Sequence, residues 1–167
     1  MASRQRTCEG QGAPPIAVQP GDLSDLRDVM HVMEAAFPET YGEAWNHHQC
    51  RSMLLMPSAK LLVARKTDSI CGFVISRQAA DEEELLMIAV SPEYQSQGVG
   101  YLLLDHMFRV ARKDQVSAVF LEMRTDNPAA KLYEKFGFRK IGLRKDYYTG
   151  PNKEKFNATT YKTTLND

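Results

Sequence analysis

Apolar positions along the chain switch between a helical and an extended period, and each switch marks an element. "PIAVQP" (15–20) is a short extended run. Leu23, Leu26, Met30 and Met33 recur at helical spacing, which predicts a helix through Ala36 capped by Asp22 or Ser24. "FPETYGEAW" breaks that pattern, and Asn46-His47-His48-Gln49 has the form of a capping box opening a second short helix. The period then becomes extended. "KLLVARK" and "ICGFVISRQ" flank Thr67-Asp68-Ser69 as two strands around a tight turn. "ELLMIAV" is a third strand, and its unbroken apolar run predicts burial on both faces. A helix is expected from Val99 to Lys113, then a strand in "SAVFLEM". Asn127-Pro128 starts another helix and Gly137 stops it. Two last strands are expected near 139–147 and 156–164, joined around Thr149-Gly150-Pro151-Asn152. This order predicts an α/β (α+β) architecture, a mixed sheet flanked by helices on both faces.

Composition narrows the classes. The 167 residues suit one domain, expected over 15–167, with the polar residues 1–14 read as a disordered tail. Lys plus Arg and Asp plus Glu stand at 21 each, so no overall field attracts a phosphate backbone and nucleic acid is not an expected partner. Cys8, Cys50 and Cys71 are odd in number and far apart, as free thiols in a reducing compartment would be. No apolar run approaches the length of a membrane span and no signal-peptide core is visible, so a cytoplasmic protein without membrane contact is expected, as a monomer. Asn157-Ala158-Thr159 fits the glycosylation triplet and is discounted for the same reason. His47, His48 and Cys50 cluster without a second ligand pair, so no metal site is expected.

The stretch Gln95-Ser96-Gln97-Gly98-Val99-Gly100 raises the chemical question. It follows a strand and opens a helix. The first N–H groups of a helix lack internal partners, the helix dipole is positive there, and glycine lets a ligand approach the backbone. A phosphate held without a metal satisfies that physics; a plain helix-initiating turn satisfies it as well. Gly100 is followed by Tyr101 rather than Lys-Ser/Thr, which excludes a Walker loop.

Gln95-x-x-Gly98-x-Gly100, between "MIAVSPEY" and "YLLLDHM", resembles the pyrophosphate loop of the GCN5-related N-acetyltransferases, and the predicted element order is similar to that family's fold over about residues 16–165. The resemblance implies acetyl-CoA as cosubstrate. Its pyrophosphate would lie on the backbone amides of about Gln97 to Tyr101 (Gln97, Gly98, Val99, Gly100, Tyr101), in a cofactor-binding loop that begins with Gln95 and Ser96, and its pantetheine arm along the edge of Ile88, Ala89 and Val90. Within the family, Leu121-Glu122-Met123-Arg124, Asn127 and Leu132-Tyr133-Glu134-Lys135-Phe136-Gly137-Phe138 resemble the RimI-type enzymes, which acetylate the N-terminal alanine of a small-subunit ribosomal protein. That likeness implies Glu122 as general base, Tyr133 as general acid to the thiolate, and Asn127 as a cofactor contact. Arg144-Lys145-Asp146-Tyr147-Tyr148 resembles the basic element that sets aromatic side chains, here Tyr147 and Tyr148, beside the acceptor peptide.

From the residues alone, Glu122 is equally a solvated strand position and Tyr133 equally a packing partner of Phe136 and Phe138. Two departures from the subfamily bear on the site. Asn127 to Tyr133 is one residue short, about 100° of helical phase, so Tyr133 keeps its direction only if Asp126 takes the cap. Asn157 stands where an acidic residue is expected. Acetylation of an α-amine, whose pKa is about 7.7–8.0, asks only for a modest base. The rivals are a transferase for a small amine (polyamine, amino acid or antibiotic) and a non-catalytic acyl-CoA-binding regulatory module.

Overall fold

The computed structural model describes residues 15–165; the expected tail, with Cys8, lies outside the described residues. The elements follow the chain as β1 (Ala17–Pro20), α1 (Leu26–Ala36), α2 (His47–Leu54), β2 (Ala59–Lys66), β3 (Ser69–Ala79), β4 (Glu82–Val90), α3 (Val99–Lys113), β5 (Ala118–Arg124), α4 (Ala130–Lys135), β6 (Arg139–Thr149) and β7 (Lys155–Thr164). The order and type of these elements are those of the sequence pattern. One seven-stranded sheet runs β1-β2-β3-β4-β5-β7-β6, and only the β4–β5 pair is parallel. No helix among the described residues is long and apolar enough to cross a membrane.

Local chemistry explains the helix starts. Asp22, rather than Ser24, is the first cap: it accepts from Ser24 N at 2.7 Å, and Asp25 answers from Asp22 N at 3.1 Å. This box opens a short 3-10 turn, Leu23–Asp25, ahead of α1. Asn46 and Gln49 cap α2 reciprocally at 2.9 Å each way. Gly137, at φ 79°, ends α4, with Gly137 N donating to Glu134 O and Phe138 N to Tyr133 O, the paired bonds of a Schellman stop.

Two cores lie on opposite faces of the sheet. On one, Val29 and Met33 of α1 pack on Val63, Phe73, Ile75 and Met87. On the other, Leu103, Leu104 and Met107 of α3 pack on Leu62, Val74, Val119 and Leu121. Burying each large aliphatic side chain contributes about 1.5–3 kcal/mol.

β4 departs from the expected burial on both faces. Its Glu83, Leu85, Met87 and Ala89 are buried while Glu84, Leu86, Ile88 and Val90 are only half-buried. The half-buried positions border an open cavity, and a bulge interrupts the strand among them: Ile75 pairs with Met87 and Ser76 with Leu85, so Leu86 has no opposite number. Leu85 packs in the α3 core, and Leu86 and Met87 both turn to the α1 core. The parallel pairing of β4 with β5 stops at the same place, at Leu85 opposite Leu121. Past it the strands part, while β5 stays paired to β7 as far as Arg124.

The expected helix start at Asn127 is also corrected. Asn127 Oδ1 accepts from Ala129 N at 2.9 Å in a side-chain turn, and α4 proper begins at Ala130. Asp126, the other candidate cap, instead pairs with Arg124.

Over the opening, the 38–45 loop meets the β6–β7 turn backbone to backbone. A Cβ on Gly42, which sits at φ +64°, would lie 2.2 Å from the Thr149 carbonyl oxygen; one on Gly150 would lie 2.5 Å from that of Thr40. Gly42→Ala is therefore expected to cost about 1–3 kcal/mol and several degrees of Tm. Gly142→Ala is the control, because its new Cβ meets only Thr160 at 3.7 Å. Equal melting of the two variants would show that the loop and turn do not need this contact.

Candidate active site

The parting of β4 and β5 opens a cavity of about 550 Å³ lined by Glu84–Val90, Gln95, Leu121–Arg124, Asn127, Tyr133, Tyr147 and Tyr148, with Phe37, Tyr41, Glu43 and Trp45 on its far wall. Glu122 is the first β5 residue past the last pair with β4, so its carboxylate stands at the apex of the split rather than on an outer edge. Oε1 of Glu122 accepts from the Thr160 hydroxyl at 3.1 Å and is ion-paired with Arg144 Nε at 2.8 Å.

Tyr133 reaches the same cavity despite the shortened spacing. It is both things the sequence left open: its ring packs edge-on against Phe138, centroids 5.7 Å apart, and its side chain also lines the opening. Burial, with Tyr148 and Glu43 nearby, pushes its hydroxyl above the usual tyrosine range, so it stays protonated at neutral pH. Burial first, and then Glu43, act on Tyr148 in the same direction.

Tyr147 and Tyr148 are consecutive on a strand, yet both line the cavity, their rings 5.0 Å apart and nearly perpendicular. The β6–β7 register slips between Arg144 and Tyr148, with Asp146 at φ 54°. Asn157 explains how the slip is held: its Oδ1 accepts from Asp146 N at 3.1 Å. The residue that departs from the subfamily pattern thus braces the bulge that presents the tyrosines.

At the other end, the β4 edge over Ile88–Val90 has no strand partner on its β5 side among the described residues. Gln95 and Gln97 brace the following turn with their side-chain amides, Gln95 to Val90 O at 3.0 Å and Gln97 to Glu93 O at 2.8 Å. Ser96 and Gly98 are both left-handed, at φ 59° and 82°. α3 then begins with no side-chain cap, and a Cβ on Gly98 would meet nothing within 4 Å. The first-turn amides of Val99, Gly100 and Tyr101 have no partner within the helix and no side-chain cap, which fits an anionic pyrophosphate. The free strand edge beside them fits an amide-bearing arm. Among the described residues no three His, Cys, Asp or Glu side chains gather to hold a metal.

Several cavity residues escaped the sequence reading. The 38–45 segment registered only as a helix breaker, yet it supplies Tyr41 and Glu43. Arg124 lies buried with its guanidinium 3.6 Å from the Tyr41 ring centroid and 3.7 Å from Glu43, and its Nε has no hydrogen-bond partner among the described residues. Glu84 is paired to Arg77 at 2.6 Å. The signal available for Tyr41 and Glu43 was an aromatic and acidic loop between two short helices; nothing in it tells which strand it will cover.

Comparison with known proteins gives the family and the fold. The Acetyltransferase (GNAT) family profile matches residues 26–138, more than half of the chain. The chain belongs to the GCN5-related N-acetyltransferase family, whose members use acetyl-CoA. It is 39% identical over 93 residues to the [ribosomal protein bS18]-alanine N-acetyltransferase of Haemophilus influenzae, covering 56% of this chain and 64% of that one. It is 41% identical over 80 residues to the enzyme of the same name from Escherichia coli K12, covering 47% and 54%. The matched segment thus spans between half and two thirds of those curated relatives. The crystal structure of the Escherichia coli ribosomal-protein-S18-alanine N-acetyltransferase superposes with a TM-score of 0.81 at 27% identity, over 92% of this chain and 96% of that one.

Gly98→Val tests the turn. Holding a β-branched residue at a left-handed φ costs about 1–2 kcal/mol; the free turn relaxes to shed that cost and must regain it to hold the cofactor, so acetyl-CoA should bind about tenfold more weakly by calorimetry with an unchanged circular dichroism spectrum. Unaltered affinity would remove this turn from the cofactor site.

Proposed function

We propose that this chain transfers the acetyl group of acetyl-CoA to the N-terminal α-amine of a protein, and that its acceptor is the N-terminal alanine of a small-subunit ribosomal protein. One observation carries the reading: a single cavity at the β4–β5 split is lined by a carboxylate, Glu122, a protonated phenol, Tyr133, and two adjacent tyrosines, Tyr147 and Tyr148. The likeness to alanine N-acetyltransferases of ribosomal protein bS18 supports the choice of acceptor. In this reading the enzyme is a cytoplasmic monomer acting on protein N-termini.

The mechanism follows from the residues. Acetyl-CoA supplies an activated thioester when bound, with Gln95–Tyr101 and Ile88–Val90 as the residues that would hold it and Asn127 beside them. Glu122 takes a proton from the incoming α-ammonium, directly or through one water, and the amine then attacks. Tyr133 gives its proton to the departing sulfur. Burial suits it to that task, because a phenol already ionised could donate nothing. No covalent enzyme intermediate is needed.

Glu43, Glu84 and Glu122 all line the cavity, a feature that by itself would favour a polycationic small amine. Each is matched by an arginine, Glu43 by Arg124, Glu84 by Arg77 and Glu122 by Arg144. The pairing weakens the negative field that would draw a polyamine. Tyr147 and Tyr148 instead offer flat apolar walls with polar tips, suited to the backbone and first side chains of a peptide.

Intact-mass detection of acetyl transfer tests the reading, with peptides differing in their first residues, free polyamines and amino acids as acceptors. One acetyl group should appear on an alanine-starting peptide. Glu122→Gln should lower kcat by about 10²–10⁴ and Tyr133→Phe by about 10–10², with acetyl-CoA binding kept in both. Product on small amines alone would transfer the assignment to them. Tight cofactor binding with no product on any acceptor, a bS18 N-terminal peptide included, would favour a sensor.

A further inference from the structure

The surroundings of Glu122 are unequal on its two oxygens. Oε1 is held twice, by the Arg144 guanidinium at 2.8 Å and the Thr160 hydroxyl at 3.1 Å. Both of these contacts are to Oε1, and the Tyr147 hydroxyl on the cavity wall is a further hydrogen-bond partner of the carboxylate. Arg144 is an unusual partner for so enclosed a group: its side chain is 61% exposed while that of Glu122 is 15% exposed. The guanidinium also lies 5.5 Å from the Tyr147 ring, so one arginine touches both the carboxylate and a wall of the acceptor cavity.

Resting on the reading of Glu122 as base, we propose that Arg144 and Thr160 are positioning residues that hold the carboxylate through Oε1 and present Oε2 as the atom that takes the proton. The step is a single transfer: an N–H bond of the α-ammonium breaks, an Oε2–H bond forms, and the nitrogen keeps the electron pair it uses for attack. A proton arriving at Oε1 would have to displace Arg144 or Thr160 first; at Oε2 it displaces neither. Glu122 cannot be held in this way from its own strand. Thr160 is directly opposite it on β7, and Arg144 comes from the next strand out, β6, just before the bulge that carries Tyr147 and Tyr148. Acceptor walls and base orientation are therefore set by one segment.

The other ionisable groups of the cavity have their own ties. Glu84 of β4 is paired to Arg77, and Glu43 of the 38–45 loop to Arg124 of β5. Tyr147, Tyr148 and Tyr133 all have hydroxyls pushed upward from the ordinary range, so they remain uncharged at neutral pH. Among the described residues Arg144 is the cation paired with Glu122.

The test is kcat and KM on an alanine-starting peptide for wild type, Arg144→Gln, Arg144→Lys and Thr160→Val, with melting temperatures measured and Glu122→Gln alongside. Arg144→Gln should lower kcat about 3- to 10-fold with KM for the peptide little changed, a size set by an exposed partner. Arg144→Lys should restore kcat most of the way, and Thr160→Val should lower it less than Arg144→Gln. A merely structural arginine would alter melting without this split between kcat and KM, and lysine would not restore kcat. Unchanged kcat in Arg144→Gln, with Glu122→Gln inactive, would overturn the positioning role alone. An active Glu122→Gln would overturn the base and the positioning role together.

Discussion

The parting of two parallel neighbours is the constraint on which this molecule depends. β4 and β5 share pairs only from Glu82–Ala118 to Leu85–Leu121. A bulge interrupts β4 at Leu86, while β5 stays paired to β7 on its other side along its whole length. Backbone groups along an unpaired strand are costly to bury without partners, so a sheet that splits in its middle must face water or a ligand there. The same event creates a free strand edge, a cavity between the strands, and a carboxylate at the apex. Ligands of open α/β sheets lie at such breaks, beyond the carboxyl ends of the strands.

The cavity is assembled from segments distant in sequence, and its electrostatics come from cross-strand pairing. Three glutamates line it and three arginines answer them, one from β3, one from β5 and one from β6. A buried carboxylate without a partner would take up a proton to avoid the cost of its charge. Each glutamate of the cavity has an arginine beside it that offsets its charge. The phenols respond in the opposite sense, with burial holding their protons on. One space thus holds a carboxylate and a neutral donor, the combination an acid–base pair requires.

The roof of the cavity is a matter of backbone proximity. Gly42 and Gly150 let the 38–45 loop and the β6–β7 turn come closer than any side chain would permit. The loop carries Tyr41 and Glu43, which stack on and pair with the buried Arg124. Asn157 performs a comparable service on the opposite wall, holding the bulge that turns two consecutive tyrosines to one side.

Every strand and helix was legible along the chain, because hydrophobic period, caps and glycine stops act within a few residues of themselves. Asn46 and Gln49 cap each other across three positions, and Gly137 ends α4 by its own left-handed φ. The Gln95–Gly100 turn was legible for the same reason, and Glu122 and Tyr133 were named through their resemblance to a family rather than from periodicity. What the chain alone could not reveal is everything set by strand order and register. β4 reads as a strand buried on both faces, because an apolar run has no mark for the place where its neighbour departs. The shortened Asn127–Tyr133 spacing reads as a threat to Tyr133, yet the side-chain turn at Asn127 delays α4 to Ala130 and the ring still reaches the cavity. Arg144 on Glu122 and Arg124 on Glu43 join residues 22 and 81 positions apart along the chain. Local physics determined the elements; only long-range packing decided which charges would meet, because a pairing across strands depends on the register of every strand between them.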